Sequence, residues 1–260
     1  MNSLQISPVE LRINCTKSYA VFAMLMQEDG WFDPVHARLC NFIQNAIEED
    51  GEKDTNLLII MPRGSLKSTI VTKYLPIWFA LRDNTFRTLI ASNTAPNAAR
   101  KVEDIRSVFD NDDLFKVMFP ELLPTKDQRW TNANACVRRD KDFPEATFES
   151  AGVKTKVIGR HYNCIVEDDT MAPDNSDMHM ESDNVVLLPS HESMERAIGW
   201  HKLAHPLLTP KGKRVRVVVT TRWADEDLVH YVKKYETYRV FDVPAETPDG
   251  QIVFTNFYSR

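Results

Sequence analysis

The sequence predicts an α/β fold, a mainly parallel sheet flanked by helices. Three observations predict it. Short runs rich in β-branched residues alternate with longer segments whose apolar residues recur at helical spacing. Several of those runs are apolar throughout, as strands buried on both faces of a parallel sheet are. No internal repeat or low-complexity linker interrupts the alternation. The 260 residues can bury one large core.

The elements follow in order. Residues 17–27 and 34–49 read as helices; in the second, Val35, Leu39, Phe42, Ile43 and Ile47 share a face. Residues 57–61 are a buried strand, 67–81 a helix and 87–92 a second strand. Residues 94–110 are a helix with Thr94 as its N-cap. Residues 134–139 and 146–150 read as edge strands or a hairpin. Residues 162–166 are another buried strand. Residues 175–205 read as mostly helical, interrupted near Pro189. Residues 214–220 form a strand, 225–234 a helix and 238–243 a last strand. Residues 1–50 thus make an N-terminal helical segment, and 51–260 the core. In such folds ligands sit beyond the carboxyl ends of the strands, where three unusual segments fall.

Composition excludes some classes. A net charge of −5 argues against a wholesale basic coat for nucleic acid, though not against local basic surfaces. Cys15, Cys40, Cys136 and Cys164 form no CxxC pair and read as reduced thiols of a cytosolic protein. No apolar run approaches the ~18 residues of a membrane span. The start carries no charged n-region followed by an apolar core, so no secretory signal is expected. The seven histidines read as surface or core residues rather than ligands.

The first segment is Met61-Pro-Arg-Gly-Ser-Leu-Lys-Ser-Thr69, between a strand and a helix that starts near Lys67. Helix-start N–H groups there face a ligand with the positive end of the helix dipole, which favours phosphate. Arg63, Gly64, Ser65, Leu66, Lys67, Ser68 and Thr69 are the ATP-binding candidates. Lys67 would reach the β- and γ-phosphates and the Ser68 hydroxyl would ligate Mg²⁺. The pattern GxxxxGK[ST] is broken, because Met61 and Leu66 stand in its glycine places and only Gly64 remains. Leu66 is expected to enter a right-handed helix and to need no positive φ. Arg63 supplies a second cation that could sense the γ-phosphate. The plain alternative is an exposed helix start with Lys and Ser in its first turn.

The second segment, Tyr162-Asn-Cys-Ile-Val-Glu-Asp-Asp169, is an apolar strand ending in carboxylates. One carboxylate can hold Mg²⁺ and the next can orient the attacking water. Asp168 is assigned to the metal and Asp169 to the water; Glu167 with Asp168 is the other register. In a strand Glu167 and Asp169 point one way and Asp168 the other. An acidic turn capping a helix is the plain alternative. The third segment, Val217-Val-Val-Thr-Thr-Arg-Trp223, ends a strand in hydroxyl residues that could bond a γ-phosphate or a catalytic carboxylate.

Together these segments resemble the ATPase part of a bacteriophage terminase large subunit, the motor that packages DNA into a procapsid. Residues 62–69 resemble that family's deviant Walker A, which often keeps the arginine four before the lysine. Gly159-Arg160 leading to Asp168-Asp169 resembles its Walker B, and Thr220, Thr221 and Arg222 with Asp225 and Asp227 its coupling motif. The resemblance runs from about Phe32 to near Tyr258 and implies a P-loop NTPase fold of the RecA/ASCE type. It also implies ATP and Mg²⁺ as cofactors, Asp169, Arg63 and Lys67 as catalytic residues, and Thr220, Thr221 and Arg222 as coupling residues. Implied partners are double-stranded DNA, a portal protein and a small terminase subunit. The implied assembly is a homo-oligomeric ring during packaging and a monomer in isolation, in the host cytoplasm and transiently at the procapsid portal, with no membrane.

Aspartate at 169, where many members carry glutamate, is a departure that would alter water positioning. The adenine contact is placed near Phe32 and His36. Pro244-Ala-Glu…Asp249-Gly250 resembles the end of the ATPase domain, so the family's nuclease domain is expected to be absent and no endonuclease activity is expected. Arg138-Arg139-Asp140-Lys141, Lys154-Thr-Lys156 and Lys211-Gly-Lys-Arg214 are candidate DNA contacts, or else solvated loops. Arg100, Arg106, Arg129, Arg138 and Arg139 are candidates for an arginine reaching into a neighbouring subunit's site. A P-loop helicase and a degenerate P-loop assembly protein without hydrolysis are the rival readings.

Overall fold

A computed structural model describes residues 7–27, 32–171, 178–181 and 184–254. The described chain opens with helices α1 (Pro8–Lys17), α2 (Tyr19–Met26) and α3 (Pro34–Asp50). Helix α1 lies earlier than the sequence reading placed any helix. Its start is a reciprocal cap: Ser7 and Glu10 satisfy each other's backbone donors, with Pro8 in the first turn. Ser18 then ends α1 and caps α2 by accepting from the Val21 N–H.

Strand β1 (Thr55–Ile60) leads into the loop at 61–66 and a helix that begins at Lys67. That helix is wide over Thr69–Tyr74, where the Leu75 N–H reaches back to the Ile70 carbonyl, before α4 (Leu75–Arg82) tightens. Pro76 lacks an N–H and cannot continue an ordinary ladder, so a one-residue insertion falls just ahead of it. Next come β2 (Thr88–Ser92), α5 (Ala95–Asn111), α6 (Asp113–Met118), β3 (Asn134–Ala135), β4 (Phe148–Gly152) and β5 (Cys164–Asp168). Thr94 caps α5, accepting from the Asn97 N–H, as expected. The last elements are β6 (Met178–Glu181), β7 (Asn184–Leu187), α7 (His191–Ala204), β8 (Val215–Thr220), α8 (Leu228–Tyr235) and β9 (Arg239–Asp242).

Seven strands form one sheet in the order β3-β4-β2-β5-β8-β1-β9, and every pairing is parallel except β3 with β4. Helices cover both faces. Leu57 and Ile59 pack with α2 to α5 on one face, whereas Leu58 and Ile60 pack with α7 and α8 on the other. That is why these strands carry no polar alternation; each such buried side chain contributes roughly 1.5–3 kcal/mol. Gly152 at the end of β4 lies against the start of α5. A Cβ there would stand 2.4 Å from the Ala95 nitrogen, so only glycine fits.

Two expectations are corrected. Residues 146–150 were read as edge or hairpin, but β4 is interior, parallel to β2, and only the two-residue β3 caps it as the edge. Residues 175–205 were read as mostly helical, yet β6 and β7 form an antiparallel pair and helix begins only at His191. The β-branched Val185-Val186 pair favours the extended form. Residues 172–177, 182 and 183 lie outside the described residues, as do 1–6, 28–31 and 255–260. The four cysteines are buried and free. Burial pushes the Cys15 thiol up to about 11 and raises Cys40 and Cys164 as well, so none of these three is a thiolate at neutral pH. No helix among the described residues is long and apolar enough to cross a membrane.

Candidate functional site

The three unusual segments meet at the carboxyl edge of the sheet. β8 lies between β1 and β5, with Ile60 opposite Thr220 and Val219 opposite Asp168. Backbone bonds continue the register past the strands: Met61 N–H to the Thr220 carbonyl at 3.3 Å, and Asp169 N–H to the Val219 carbonyl at 3.0 Å. With β8 inserted, the loop after β1 and the carboxylates after β5 are two strand spacings apart, about 10 Å.

The loop has a conformation that the sequence reading missed. Gly64 has φ of 75°, which glycine adopts freely, but Leu66 also lies in the left-handed region, with φ of 58°. The expectation that Leu66 needs no positive φ is therefore wrong. The loop turns left-handed at a non-glycine residue, and a side chain there costs about 1–2 kcal/mol. The surroundings hold it. The Ser65 hydroxyl donates to the Pro62 carbonyl at 2.7 Å across the turn. His36, fully buried on α3, faces the Ser65 carbonyl at 2.8 Å through Nε2. Its Nδ1 accepts from the Asp33 N–H at 2.8 Å, so the proton sits on Nε2 and donates to the loop. Burial lowers the His36 pKa, which favours this neutral form, although the bond to Ser65 opposes the shift. His36, expected near an adenine, is thus committed to the loop, and Phe32 and Phe254 pack against its ring.

The carboxylates separate sharply. Asp168 is fully buried and accepts from the Ser68 hydroxyl at 3.0 Å, the Thr72 hydroxyl at 2.6 Å and the Lys101 ammonium at 2.7 Å. Ser68 and Thr72 are four residues apart and so share a helix face. Glu167 points to the opposite face. It meets His201 Nδ1 at 2.9 Å and Arg216 at 3.0 Å, all fully or nearly fully buried, while His201 Nε2 lies 3.1 Å from Glu236. Burial alone would raise the Glu167 carboxyl, but the His201 and Arg216 charges outweigh it and hold it below the usual range.

Asp169 breaks the strand alternation. Its φ of 49° turns it away from Glu167's face, and its electrostatic neighbours are Asp168, Lys67, Lys101 and Arg63. Its Oδ1 is buried with no hydrogen-bond partner among the described residues. Burial and then the Asp168 charge raise its pKa, against the pull of Lys67, Lys101 and Arg63. A charged carboxylate held this way is short of a cation or a donor, as a site awaiting a ligand is.

The third segment touches the first. The Thr221 hydroxyl donates to the Met61 carbonyl at 3.2 Å, and the Arg63 guanidinium stacks 4.1 Å from the centre of the Trp223 ring. Thr220 bonds the Thr221 carbonyl. Arg222 turns towards Asp227, at 3.3 Å, and Asp227 caps α8.

Other predicted residues do structural work. Lys213 binds the carbonyls of Ile47 and Lys53, Arg214 pairs with Asp54, and Arg139 holds the carbonyls of Phe143 and Glu145. Arg106 packs on Trp130, and Arg129 binds the Pro144 carbonyl. Among the described residues Arg100 and Arg138 are exposed and make no ion pair. Gly159 has φ of 69°, and Arg160 pairs with Glu149 of β4.

Lys101 was not singled out from sequence, and neither were Thr72, His201 and Arg216. Arg216 gave a signal, since an arginine inside an otherwise apolar strand needs a buried counter-charge.

Beside the Lys101 ammonium, the groups that meet Asp168 are the Ser68 and Thr72 hydroxyls, and a carboxylate with hydroxyl oxygens suits a hard cation such as Mg²⁺. Among the described residues no three His, Cys, Asp or Glu side chains converge as a cage. A Mg²⁺ held by one carboxylate and substrate phosphates needs none. The residues therefore fit the group. His201 and His205 stand four apart in sequence, but His201 is already bonded to Glu167. No family model matches the chain, and no curated protein matches it.

Proposed function

We propose that this chain is a Mg²⁺-dependent ATPase of the P-loop, RecA/ASCE-like class, and the motor domain of a viral terminase large subunit that drives double-stranded DNA into a procapsid. The observation that carries the ATPase reading is the Ser68–Asp168 contact at 3.0 Å. It joins the first turn of the loop helix to the acidic strand end, the two groups that would share Mg²⁺. The resemblance of residues 62–69, 159–169 and 220–227 carries the narrower motor reading.

Lys67 and the N–H groups of residues 64–69 bind the β- and γ-phosphates. Ser68 and Asp168 would hold Mg²⁺, which when bound neutralises charge developing on the transferred phosphoryl group. Asp169, turned towards Lys67 and left with an unsatisfied oxygen, orients the attacking water. Arg63 leaves the Trp223 ring for the γ-phosphate, and Thr221, bonded to Met61, passes loop movement to β8 and the turn before α8. Double-stranded DNA, a portal protein and a small terminase subunit are the partners of this reading, with a ring of subunits formed at the procapsid.

Phosphate release tests the core of it. The wild type is expected to hydrolyse ATP with Mg²⁺, and faster with double-stranded DNA, and the Lys67→Ala variant is expected not to. Nucleotide binding without turnover in the wild type would leave a conformational P-loop protein instead. Separation of a forked duplex would make the chain a helicase.

A further inference from the structure

Asp168 is held by a lysine that the phosphate-loop chemistry does not use. Lys101 lies on α5, in another part of the sequence, and its ammonium stands 2.7 Å from Asp168 Oδ2. Asp168 is wholly buried and Lys101 about one-fifth exposed, so this is a pairing made under the surface. Lys67, the loop lysine, makes no ion pair with Asp168 among the described residues.

We propose that Lys101 is a resident cation that occupies Asp168 until Mg²⁺ enters and must leave for it to do so, which makes α5 the element that senses metal at the loop. The inference rests on the ATPase reading for its physiological sense, but the competition itself concerns only Asp168 and a divalent cation.

The Lys101 ammonium sits on Asp168 Oδ2, and Ser68, the other group that would hold Mg²⁺, contacts Oδ1 of the same carboxylate. A unit charge and a double charge a few ångström apart in a buried site repel strongly. Lys101 has somewhere to go. Asp104 lies three residues along α5 on the same side, within the electrostatic reach of both Lys101 and Lys73. Lys101 and Asp104 line a cavity of about 70 Å³ with Ser68, Thr69, Thr72 and Lys73. The ammonium therefore has two seats: Asp168 in the metal-free protein and Asp104 when Asp168 binds metal. Its movement shifts charge from the sheet edge to the surface of α5. Thr72 and Ser68 stay on Asp168 as neutral donors and hold its position while the cations exchange.

If the Lys101-bound form accounts for about nine molecules in ten, apparent metal affinity is weakened about tenfold. The test uses full-length wild type and the Lys101→Met, Lys101→Arg and Asp104→Asn variants. Each is titrated with Mg²⁺ alone, read by thermal unfolding, and then with Mg²⁺ at fixed fluorescent ATP analogue, read by analogue binding. Lys101→Met is expected to require about tenfold less Mg²⁺ for half-saturation. It should also lose stability in a chelator and regain it with Mg²⁺. Lys101→Arg keeps the cation and should stay near the wild type. Asp104→Asn removes the second seat and should shift the requirement the other way, to more Mg²⁺.

An unchanged Mg²⁺ requirement in Lys101→Met overturns the proposal. So does a lowered requirement in Asp104→Asn, which also decides the matter if the methionine variant does not fold. If no protein binds the analogue at any Mg²⁺ concentration, the ATPase reading fails, whereas the Mg²⁺-only thermal series still decides the role of Lys101.

Discussion

Adjacent carboxylates on β5 live in opposite regimes. Glu167 on one face is enclosed by His201, Arg216 and, through His201, Glu236, so its charge is compensated within the fold. Asp168 and Asp169 on the other face meet residues of the segment after β1, and Asp169 keeps a buried oxygen without a donor among the described residues. The same backbone thus supplies a compensated ion cluster on one face and, on the other, a fully bonded Asp168 beside an Asp169 with an unsatisfied oxygen. The difference teaches how to distinguish them: the structural carboxylate is pulled below its usual pKa, and the other is pushed above it.

The comparison is sharpest in variants. Asp169→Asn should lower turnover by roughly 10²–10⁴-fold, the usual worth of a positioned base, while nucleotide binding persists. The raised pKa means that the ionised form is unfavourable in the fold, so Asp169→Asn should raise the unfolding temperature. Glu167→Gln should do the reverse. It leaves Arg216 and His201 with Glu236 alone as counter-charge and should cost about 3 kcal/mol in denaturant unfolding, with turnover per folded molecule kept. If turnover falls in Glu167→Gln and survives in Asp169→Asn, the two faces have been assigned the wrong way round.

Acid adds a second contrast. The depressed Glu167 carboxyl contributes stability that is present above its unfolded pKa of about 4.3 and lost as pH falls towards its folded value. His36 is also depressed, so its neutral clamp contributes stability above the unfolded histidine pKa of about 6.5 that is lost below it. Unfolding measured between pH 7.5 and 5 should therefore weaken in the wild type and change less in His36→Gln. That variant keeps a donor for Ser65 and should itself cost only about 1 kcal/mol at pH 7.5. An equal acid response in both proteins would remove His36 from the account of the loop.

The smallest effect concerns Leu66. Leu66→Gly should be about 1 kcal/mol more stable than Leu66→Ala, because both lose the side chain but only glycine escapes the left-handed penalty. Equal stabilities would mean that the loop relaxes out of the positive φ.

Much of this was legible. β1 announced itself as a continuous apolar run, β8 as an alternation that passes into Val217-Val-Val219, and the carboxylates of β5 stood where an apolar strand stops. Parity along β5 left the register open, since it placed Glu167 and Asp169 together. The left-handed turn at Asp169 takes it off the strand alternation, and no local pattern encodes that turn. Helix α1 could have been read from Ser7, Pro8 and Glu10, a capping signature. Lys101 could not, because its partner is 67 residues away and a lysine seven residues into an amphipathic helix looks like solvated charge. The antiparallel pair at β6 and β7 was hidden because charged and apolar residues mixed there without a strong period.

Arg63 stacked over Trp223 has an optical consequence. An indole beneath a cation, with its ring nitrogen buried and unbonded, has an emission set by that contact. Of the five tryptophans, Trp78 and Trp130 also lie under arginines, Arg82 and Arg106, neither of which belongs to the loop at 61–66. When Arg63 departs for a phosphate, Trp223 alone among these three loses its cation. Intrinsic fluorescence should then follow nucleotide capture without any label, and Trp223→Phe should silence the change. On the proposed ATPase reading, Trp223 is thus a built-in reporter of where Arg63 lies.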